Sequence, residues 1–265
     1  MGIPKDILRD NSYLDEDSIL VGYRGSIAHS MYIPNSDPNS IDDKDVMAVT
    51  IPTIDHYFGL KTFGSRGTKE LKKNEWDIVT YEFLKFMSLL AKSNPNVISL
   101  LWLNDNKYLK RTEEGGLLIK NRDLFSTKKI YHSFTGYAYG QMKRMTHYKF
   151  EGYMGEKRKA IVDKFGYDCK NASHLIRLLR MGIEFLNEGI LYVDRGNKDA
   201  PQLLSIKKGE WSLKAVQKEA DKLFIRAENA YDNCKLPNAP DMEKVNQLTM
   251  NIMKMHFKKK ECLYV

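Results

Sequence analysis

The chain has 265 residues and is basic, with 42 Lys and Arg against 34 Asp and Glu and a formal net charge of +8. Its shares of hydrophobic residues (42%) and charged residues (29%) are typical of a folded globular protein and exclude an intrinsically disordered one. The chain has no apolar run of about 18 residues and no basic N-terminal region followed by an apolar stretch, so we expect neither a transmembrane helix nor a secretory signal.

Three short apolar runs in the first half of the chain predict β-strands. Residues 19–23 end at the Arg-Gly-Ser sequence of residues 24–26, which fits a buried strand that stops at a turn. Residues 46–51 form the second predicted strand, and residues 76–81, rich in aromatic and β-branched side chains, form the third. Residues 61–74 contain glycines and many charges, so we expect a mobile loop there.

The pattern after residue 82 is helical. Its first apolar residues recur at the spacing of one helix face, namely at Phe83, Phe86, Met87, Leu90 and Ala91. Further helices are expected over residues 128–148, 157–165, 172–188, 213–233 and 242–258. Ser212 and Gly189 suit an N-cap and a C-cap, and residues 190–193 and 203–206 suggest a small β-pair between helices.

This order of elements predicts an α+β fold, in which a small mixed β-sheet with flanking helices precedes a mainly helical region. We assign residues 1–110 to the α/β module and residues 111–265 to the helical domain. The boundary itself is expected within residues 104–127.

The charge and the cysteines bear on partners and compartment. A net charge of +8 fits an anionic partner, such as a nucleotide or a nucleic acid, and fits a solvated basic surface equally well. The cysteines are too few and too far apart for a zinc-type pair or an even disulfide set, since they are Cys169, Cys234 and Cys262. We therefore expect a cytoplasmic protein.

Three features stand in order at the predicted strands. Gly25 and Ser26 follow the first strand, Asp43 and Asp45 open the second, and Asp77 lies in the third. Phosphates need a close approach by backbone N–H groups, which glycine permits, and a serine hydroxyl adds a donor. A helix that starts just after the turn would add a partial positive charge.

The aspartates predict a metal site. Residues two apart on a strand point to the same face, so Asp43 and Asp45 reach one place, and Asp77 on a neighbouring strand would complete the set. Such carboxylates repel one another unless cations lie between them, and Mg²⁺ or Mn²⁺ favours oxygen ligands. Each feature alone is more often a turn, a cap or a polar strand face, and only their combination favours a two-metal site.

A basic stripe lies on the predicted helix 172–188 and just before it. Lys170, His174 and Arg177 have the spacing of one helix face, from which they could neutralise phosphates. An ordinary solvated face, with Arg177 paired to Glu184, explains the same pattern, and the spacing alone leaves both interpretations open.

The three stretches together resemble the nucleotidyltransferase superfamily of DNA polymerase β, and most closely the predicted nucleotidyltransferases associated with RNA ligases. Residues 25–29 (Gly-Ser-Ile-Ala-His) are similar to the Gly-Ser-x-Ala-His/Tyr-Gly sequence of that family. Residues 42–49 resemble its Ser-Asp-x-Asp-apolar run, and residues 170–179 resemble its Lys-His-Ala-x-His-x-x-Arg-Leu-Leu helix. Ser30 stands where the family has glycine, and the loop from Ser26 to Asp43 is longer than usual.

The resemblance implies an enzyme that transfers a nucleoside monophosphate from a nucleoside triphosphate to an acceptor hydroxyl. Asp43, Asp45 and Asp77 would be the catalytic, metal-binding residues, with Mg²⁺ or Mn²⁺ as the cofactor. The residues expected to bind the nucleotide are Gly25, Ser26, His29, Lys170, His174 and Arg177. Ser36-Asp37 is a competing start for the acidic motif, but no second carboxylate and no apolar strand follow it.

Three functions remain open. The charge and the resemblance favour a nucleic acid as the acceptor. Transfer to a small molecule or a protein is an alternative, and so is a non-catalytic nucleotide- or nucleic-acid-binding protein on the same fold. The intact set of three aspartates argues against the last of these. The oligomeric state does not follow from the sequence.

Overall fold

The computed structural model describes residues 2–34, 36–37, 40, 42–146 and 156–261. Its strands are β1 (Ser18–Tyr23), β2 (Lys44–Thr50), β3 (Thr68–Lys73), β4 (Trp76–Glu82) and β5 (Tyr108–Arg111). Its helices are α1 (Lys5–Asp10), α2 (Ser12–Asp15), α3 (Gly25–Ala28), α4 (Asp55–Phe58), α5 (Phe83–Ala91), α6 (Pro95–Ile98), α7 (Glu113–Lys120), α8 (Lys129–Thr146), α9 (Glu156–Phe165), α10 (Cys169–Glu188), α11 (Ala200–Lys207), α12 (Leu213–Asn233) and α13 (Met242–Glu261).

The strands form one mixed sheet in the order β3-β4-β2-β1-β5. β2 and β4 are parallel, whereas the other neighbouring strands are antiparallel. In the parallel pair Asp45 lies directly opposite Asp77. Register partners point to the same face of a sheet, so the two carboxylates share one face at the start of their strands. The predicted α+β class with a mixed sheet is confirmed.

Both faces of the sheet are covered, as the alternation along β2 requires. Met47 and Val49 belong to a large core that runs from the sheet into the helices α5, α8, α10, α12 and α13. Val46 and Ala48 point the other way, into a smaller cluster closed by α1 and α2. The large core contains residues from both sides of position 110, and the division of the chain there stays a prediction.

The helix α10 is the central element of the second half and packs against α8, α11 and α12. The side chain of Asp168 caps its start by accepting a hydrogen bond from the Asn171 N–H at 3.0 Å. Gly189 ends it in the left-handed conformation, with φ of 72°, which confirms the predicted C-cap. The predicted N-cap at Ser212 is also confirmed, since its hydroxyl accepts from the Ala215 N–H at 3.2 Å.

Two predictions about local structure were wrong. The β-pair expected from residues 190–193 and 203–206 is not formed: residues 190–193 are irregular, and residues 203–206 lie in α11, where Leu203 and Ile206 are three apart and both buried on one helix face. Residues 68–73, expected in a mobile loop, form the edge strand β3. Leu71 of this strand packs against the smaller hydrophobic cluster, and its lysines place charged side chains at the edge of the sheet. Residues 147 and 148 of the expected helix 128–148 lie outside the described residues.

None of the helices that the structure describes combines the length and the apolar sequence that a membrane crossing requires.

The lysines near the end of α13 make specific contacts. Lys259 pairs with Glu113 at 2.7 Å and with Glu114 at 3.2 Å, and Lys260 pairs with Asp17. These ion pairs tie the last helix to α7 and to the start of β1.

Candidate active site

The turn after β1 brings backbone and carboxylate into direct contact. Gly25 has φ of 60° and opens the short helix α3. A Cβ atom at this position would lie 2.2 Å from Oδ2 of Asp45, closer than any real contact permits. Only glycine fits here, because it has no Cβ and tolerates positive φ. The hydroxyl of Ser26 is buried and has no hydrogen-bond partner within the described residues, so it is available to a ligand.

Arg24 bridges the two aspartates that lie opposite each other on β2 and β4. Its Nη2 is 3.1 Å from Oδ1 of Asp77 and 3.8 Å from Oδ1 of Asp45. Burial raises the pKa of Asp45 to about 6, and the charges of Arg24 and Lys170 work against this rise. The carboxylates of Asp77 and Asp43 raise it further, as expected for acidic groups that share one region.

Asp43 lies two residues before Asp45, and its Oδ2 accepts from Nζ of Lys72 at 3.2 Å. Over the described part of the chain, no group of three His, Cys, Asp or Glu side chains is arranged to hold one metal ion. Instead, Lys72 and Arg24 neutralise the acidic residues. The donor set still fits Mg²⁺ or Mn²⁺, because it offers carboxylate oxygens close together, with that of Asp45 directly beside the backbone of Gly25. Which of the three aspartates hold metal ions stays a prediction.

A cavity of about 270 Å³ opens between the sheet and the helices α6, α8, α10 and α11. It is lined by seven of the nine residues that we predicted for the site, namely Gly25, Ser26, His29, Asp45, Lys170, His174 and Arg177. Asp43 and Asp77 do not line the cavity. Asp43 lies two residues before the lining residue Asp45, and Asp77 lies opposite Asp45 on β4. The cavity is also lined by Asp42, Lys207 and Gln141, which no sequence pattern indicated as site residues, and by Tyr137.

Asp42 is the buried centre of an ion-pair cluster in the cavity wall. Its side chain, 1% exposed, pairs with Lys207 of α11 and lies 3.8 Å from Nζ of Lys170. It also accepts the backbone N–H of Ile33 at 2.9 Å, and Lys207 donates to the carbonyl of Met31 at 3.2 Å. The cluster therefore fixes both ends of the segment from Met31 to Asp42, directly before the first predicted metal ligand.

We expect Asp42→Asn or Lys207→Met alone to lower the free energy of unfolding by about 3–5 kcal/mol. Each change leaves one charge buried without its partner, which costs more than the pair contributes. The double variant removes both charges and is expected to be more stable than the sum of the single effects predicts. Urea unfolding of the four proteins measures this; strictly additive losses would show that the two residues are not coupled.

Arg177 is buried, 7% exposed, and its Nη1 donates to the sulfur of Met181 at 3.3 Å. Burial, together with the positive charge of Arg195, lowers its pKa to about 9. The alternative pairing of Arg177 with Glu184 is not found, because Arg195 makes both short contacts to Glu184, at 2.6 and 2.9 Å. The buried guanidinium of Arg177 therefore has no short ion pair with Glu184 to offset the loss of hydration, and such a cation favours an anionic ligand.

The two histidines of the cavity are neutral. The Nδ1–H of His29 donates to the carbonyl of Val193 at 2.8 Å in the neutral ring. Burial and the charge of Arg177 hold the pKa of His29 well below its ordinary value. The same two causes lower the pKa of His174, with Lys170 adding to them. Neither ring therefore supplies positive charge to the cavity at neutral pH.

This burial predicts a pH-dependent stability. Below about pH 6.5 the unfolded chain binds protons at His29 and His174 while the folded chain does not, so stability is complete above that pH and falls below it. Each histidine contributes a slope of up to about 1.4 kcal/mol per pH unit. We expect His29→Gln to reduce the loss of stability between pH 7.5 and 5.5, and the exposed His132→Gln to leave it unchanged. Equal losses in both variants would contradict the prediction.

The mixed sheet with flanking helices agrees with the nucleotidyltransferase fold of the DNA polymerase β type, and the family match assigns the chain to that class. The chain belongs to the RNA repair pathway DNA polymerase beta family, whose model matches residues 25–251. No curated protein matches the sequence significantly. Among solved structures, a nucleotidyltransferase-like protein from Exiguobacterium sibiricum 255-15 is 8% identical, with a TM-score of 0.28, and the match covers 86% of this chain and 73% of that chain.

Proposed function

We propose that the protein transfers a nucleoside monophosphate from a nucleoside triphosphate to an acceptor hydroxyl, with a nucleic acid as the acceptor. The contact between Gly25 and the carboxylate of Asp45 carries this proposal. It joins the turn that suits a phosphate to the acidic residues that suit a metal ion. Both lie at a cavity that also contains Lys170 and Arg177.

The chain's own groups would bind and orient the triphosphate. The backbone N–H groups of the turn at Gly25 and the unpaired hydroxyl of Ser26 would donate to phosphate oxygens. Lys170 and Arg177 would neutralise the phosphates and the departing pyrophosphate. Because Arg177 is buried, its charge is little screened by water and acts strongly on an anion in the cavity.

Asp43 and Asp45 would hold both metal ions, and Asp77 would hold the ion nearer the acceptor. When bound, Mg²⁺ or Mn²⁺ supplies charge stabilisation for the phosphate oxygens and the attacking oxygen. Arg24 competes with these ions, because its guanidinium lies between Asp45 and Asp77. Binding of metal would therefore require Arg24 to exchange its carboxylate partners for other ones, and phosphate oxygens are suitable.

The reaction is a substitution at the α-phosphorus. The acceptor oxygen forms a bond to this phosphorus while the bond to the oxygen that bridges to the β-phosphorus breaks. Pyrophosphate leaves with that oxygen, and Asp77 takes the proton of the acceptor hydroxyl. Positioning and charge stabilisation account for most of the rate in such transfers.

A nucleic acid as the acceptor is supported by the net charge of +8 and by the name of the family, which refers to RNA repair. The test is incubation with each of four α-labelled triphosphates, Mg²⁺ or Mn²⁺, and RNA, DNA or protein acceptors. We expect label on RNA or DNA, with a steep loss of acceptor affinity as salt increases. Label on protein or on a small molecule would reject the nucleic-acid acceptor, and retained triphosphate without pyrophosphate release would reject transfer.

A further inference from the structure

The lining of the cavity divides into two chemically different parts. The first part is charged and lies around the turn at Gly25; its basic side chains (Arg24, Lys170, Arg177 and Lys207) outnumber its two carboxylates (Asp42 and Asp45). The second part, which we name the neutral wall, is uncharged and comes from α6, the turn after it and α8. It consists of Pro95, Asn96, Ser99, Tyr137 and Gln141. A nucleoside triphosphate divides in the same way, into an anionic phosphate chain and an uncharged nucleoside.

Gln141 is the least satisfied group of the neutral wall. Its side chain is buried, with 8% of the residue exposed, and its Oε1 has no hydrogen-bond partner within the described part of the chain. A buried carbonyl without a partner is destabilising, and native proteins rarely keep one without a reason. No donor among the described residues pairs with this carbonyl, so it is available to a ligand in the cavity.

Tyr137 lies four residues before Gln141, on the same face of α8. Its hydroxyl accepts a hydrogen bond from Nδ2 of Asn94 at 3.1 Å, which fixes one edge of the ring. The residue is 37% exposed, so the rest of the ring is accessible from the cavity that it lines. A held and accessible aromatic ring beside an unpaired amide is a suitable surface for a planar, hydrogen-bonding base.

We propose that the neutral wall binds the nucleoside, that Gln141 reads the edge of the base, and that the base is adenine. The inference rests on the proposed function, since it takes a nucleoside triphosphate as the ligand. A glutamine amide pairs with adenine through two hydrogen bonds, one from the amino group at N6 to the carbonyl and one from the amide N–H to N7. Guanine presents two acceptors on the same edge, so the carbonyl of Gln141 would stay unpaired.

The test measures equilibrium binding of the four α,β-methylene nucleoside triphosphate analogues, which cannot undergo transfer. We expect the wild-type protein to bind the adenosine analogue most tightly. Gln141→Met is expected to weaken that analogue by about tenfold or more, the size of one lost bidentate base contact, and to change the other three by less than about twofold. The exposed Gln247→Met on α13 is the matched control and is expected to change none of them.

Gln141→Asn, which keeps an amide but shortens it, provides a second variant if Gln141→Met does not fold, and the same selective loss is expected. Preference for another base, or an equal loss for all four analogues, would overturn the inference. The proposed function is tested separately by transfer of label. Selective binding through Gln141 in a protein that transfers no label would reject the proposed function and leave the reading of the base intact.

Discussion

Replacement of Asp45 or Asp77 by asparagine is expected to lower the rate of nucleotidyl transfer by about 10³-fold or more. Metal ions contribute several kcal/mol of charge stabilisation in such reactions, and each carboxylate would hold at least one ion. The two residues lie opposite each other on β2 and β4, and Arg24 bridges them. Both are partly exposed, at 24% and 34% of the side chain, so we expect the variants to fold.

The control for these variants is Asp221→Asn, because Asp221 is exposed on α12 and does not line the cavity. Initial rates of label transfer are measured for the wild type and the three variants, with circular dichroism to verify folding. We expect the control to retain the wild-type rate. If Asp45→Asn and Asp77→Asn transfer label as fast as the control does, the metal assignment is wrong.

Gly25→Ala is expected to reduce transfer by about 10²-fold or more, because the new Cβ would meet Oδ2 of Asp45 at 2.2 Å. Either the turn or the carboxylate must then shift, and a displacement of about 1 Å near reacting groups can cost that much. The positive φ of 60° adds backbone strain of about 1–2 kcal/mol to the variant.

Gly166→Ala separates these two effects. Gly166 also has positive φ, 76°, but a Cβ there would meet nothing within 4 Å. We therefore expect a similar loss of stability from backbone strain and no loss of transfer. The unfolding midpoint and the transfer rate of both variants are measured. Equal transfer rates in the two variants would show that the contact between residue 25 and Asp45 is unimportant for transfer.

The clustering of the candidate site residues could be predicted, because the sequence signals that mark them are local. Gly25 and Ser26 follow an apolar strand with one residue between, and Asp45 and Asp77 lie within two others. Parallel pairing of those strands then places the two aspartates opposite each other. The stripe of Lys170, His174 and Arg177 follows from helical spacing alone, and the cavity contains all three.

The cluster around Asp42 could not be predicted, because its partners are far apart in sequence. Asp42 and Lys207 are 165 positions apart, and only the packing of α11 against the rest of the fold brings them together. In the sequence, Asp42 is one more acidic residue beside a motif and Lys207 is one more basic residue. No spacing rule links a loop to a helix in the other half of the chain.

The strand β3 and the helix α11 were missed for a different reason. β3 is an edge strand with four lysine or glutamate side chains in six residues, which resembles a polar loop in composition. Its pairing with β4 across the short turn at Asn74 makes it a strand. In α11 the apolar residues are too few to distinguish helical from strand periodicity by pattern alone.

The most direct measurement compares two labels of the same nucleoside triphosphate, one on the α-phosphate and one on the γ-phosphate, in the presence of Mg²⁺ and a nucleic-acid acceptor. Transfer of a nucleotide predicts that the α label joins the acceptor, that one pyrophosphate carrying the γ label is released for each transfer, and that chelation of the metal stops both. Appearance of the γ label on the acceptor, or transfer that continues after chelation, would contradict the function proposed for Asp43, Asp45 and Asp77.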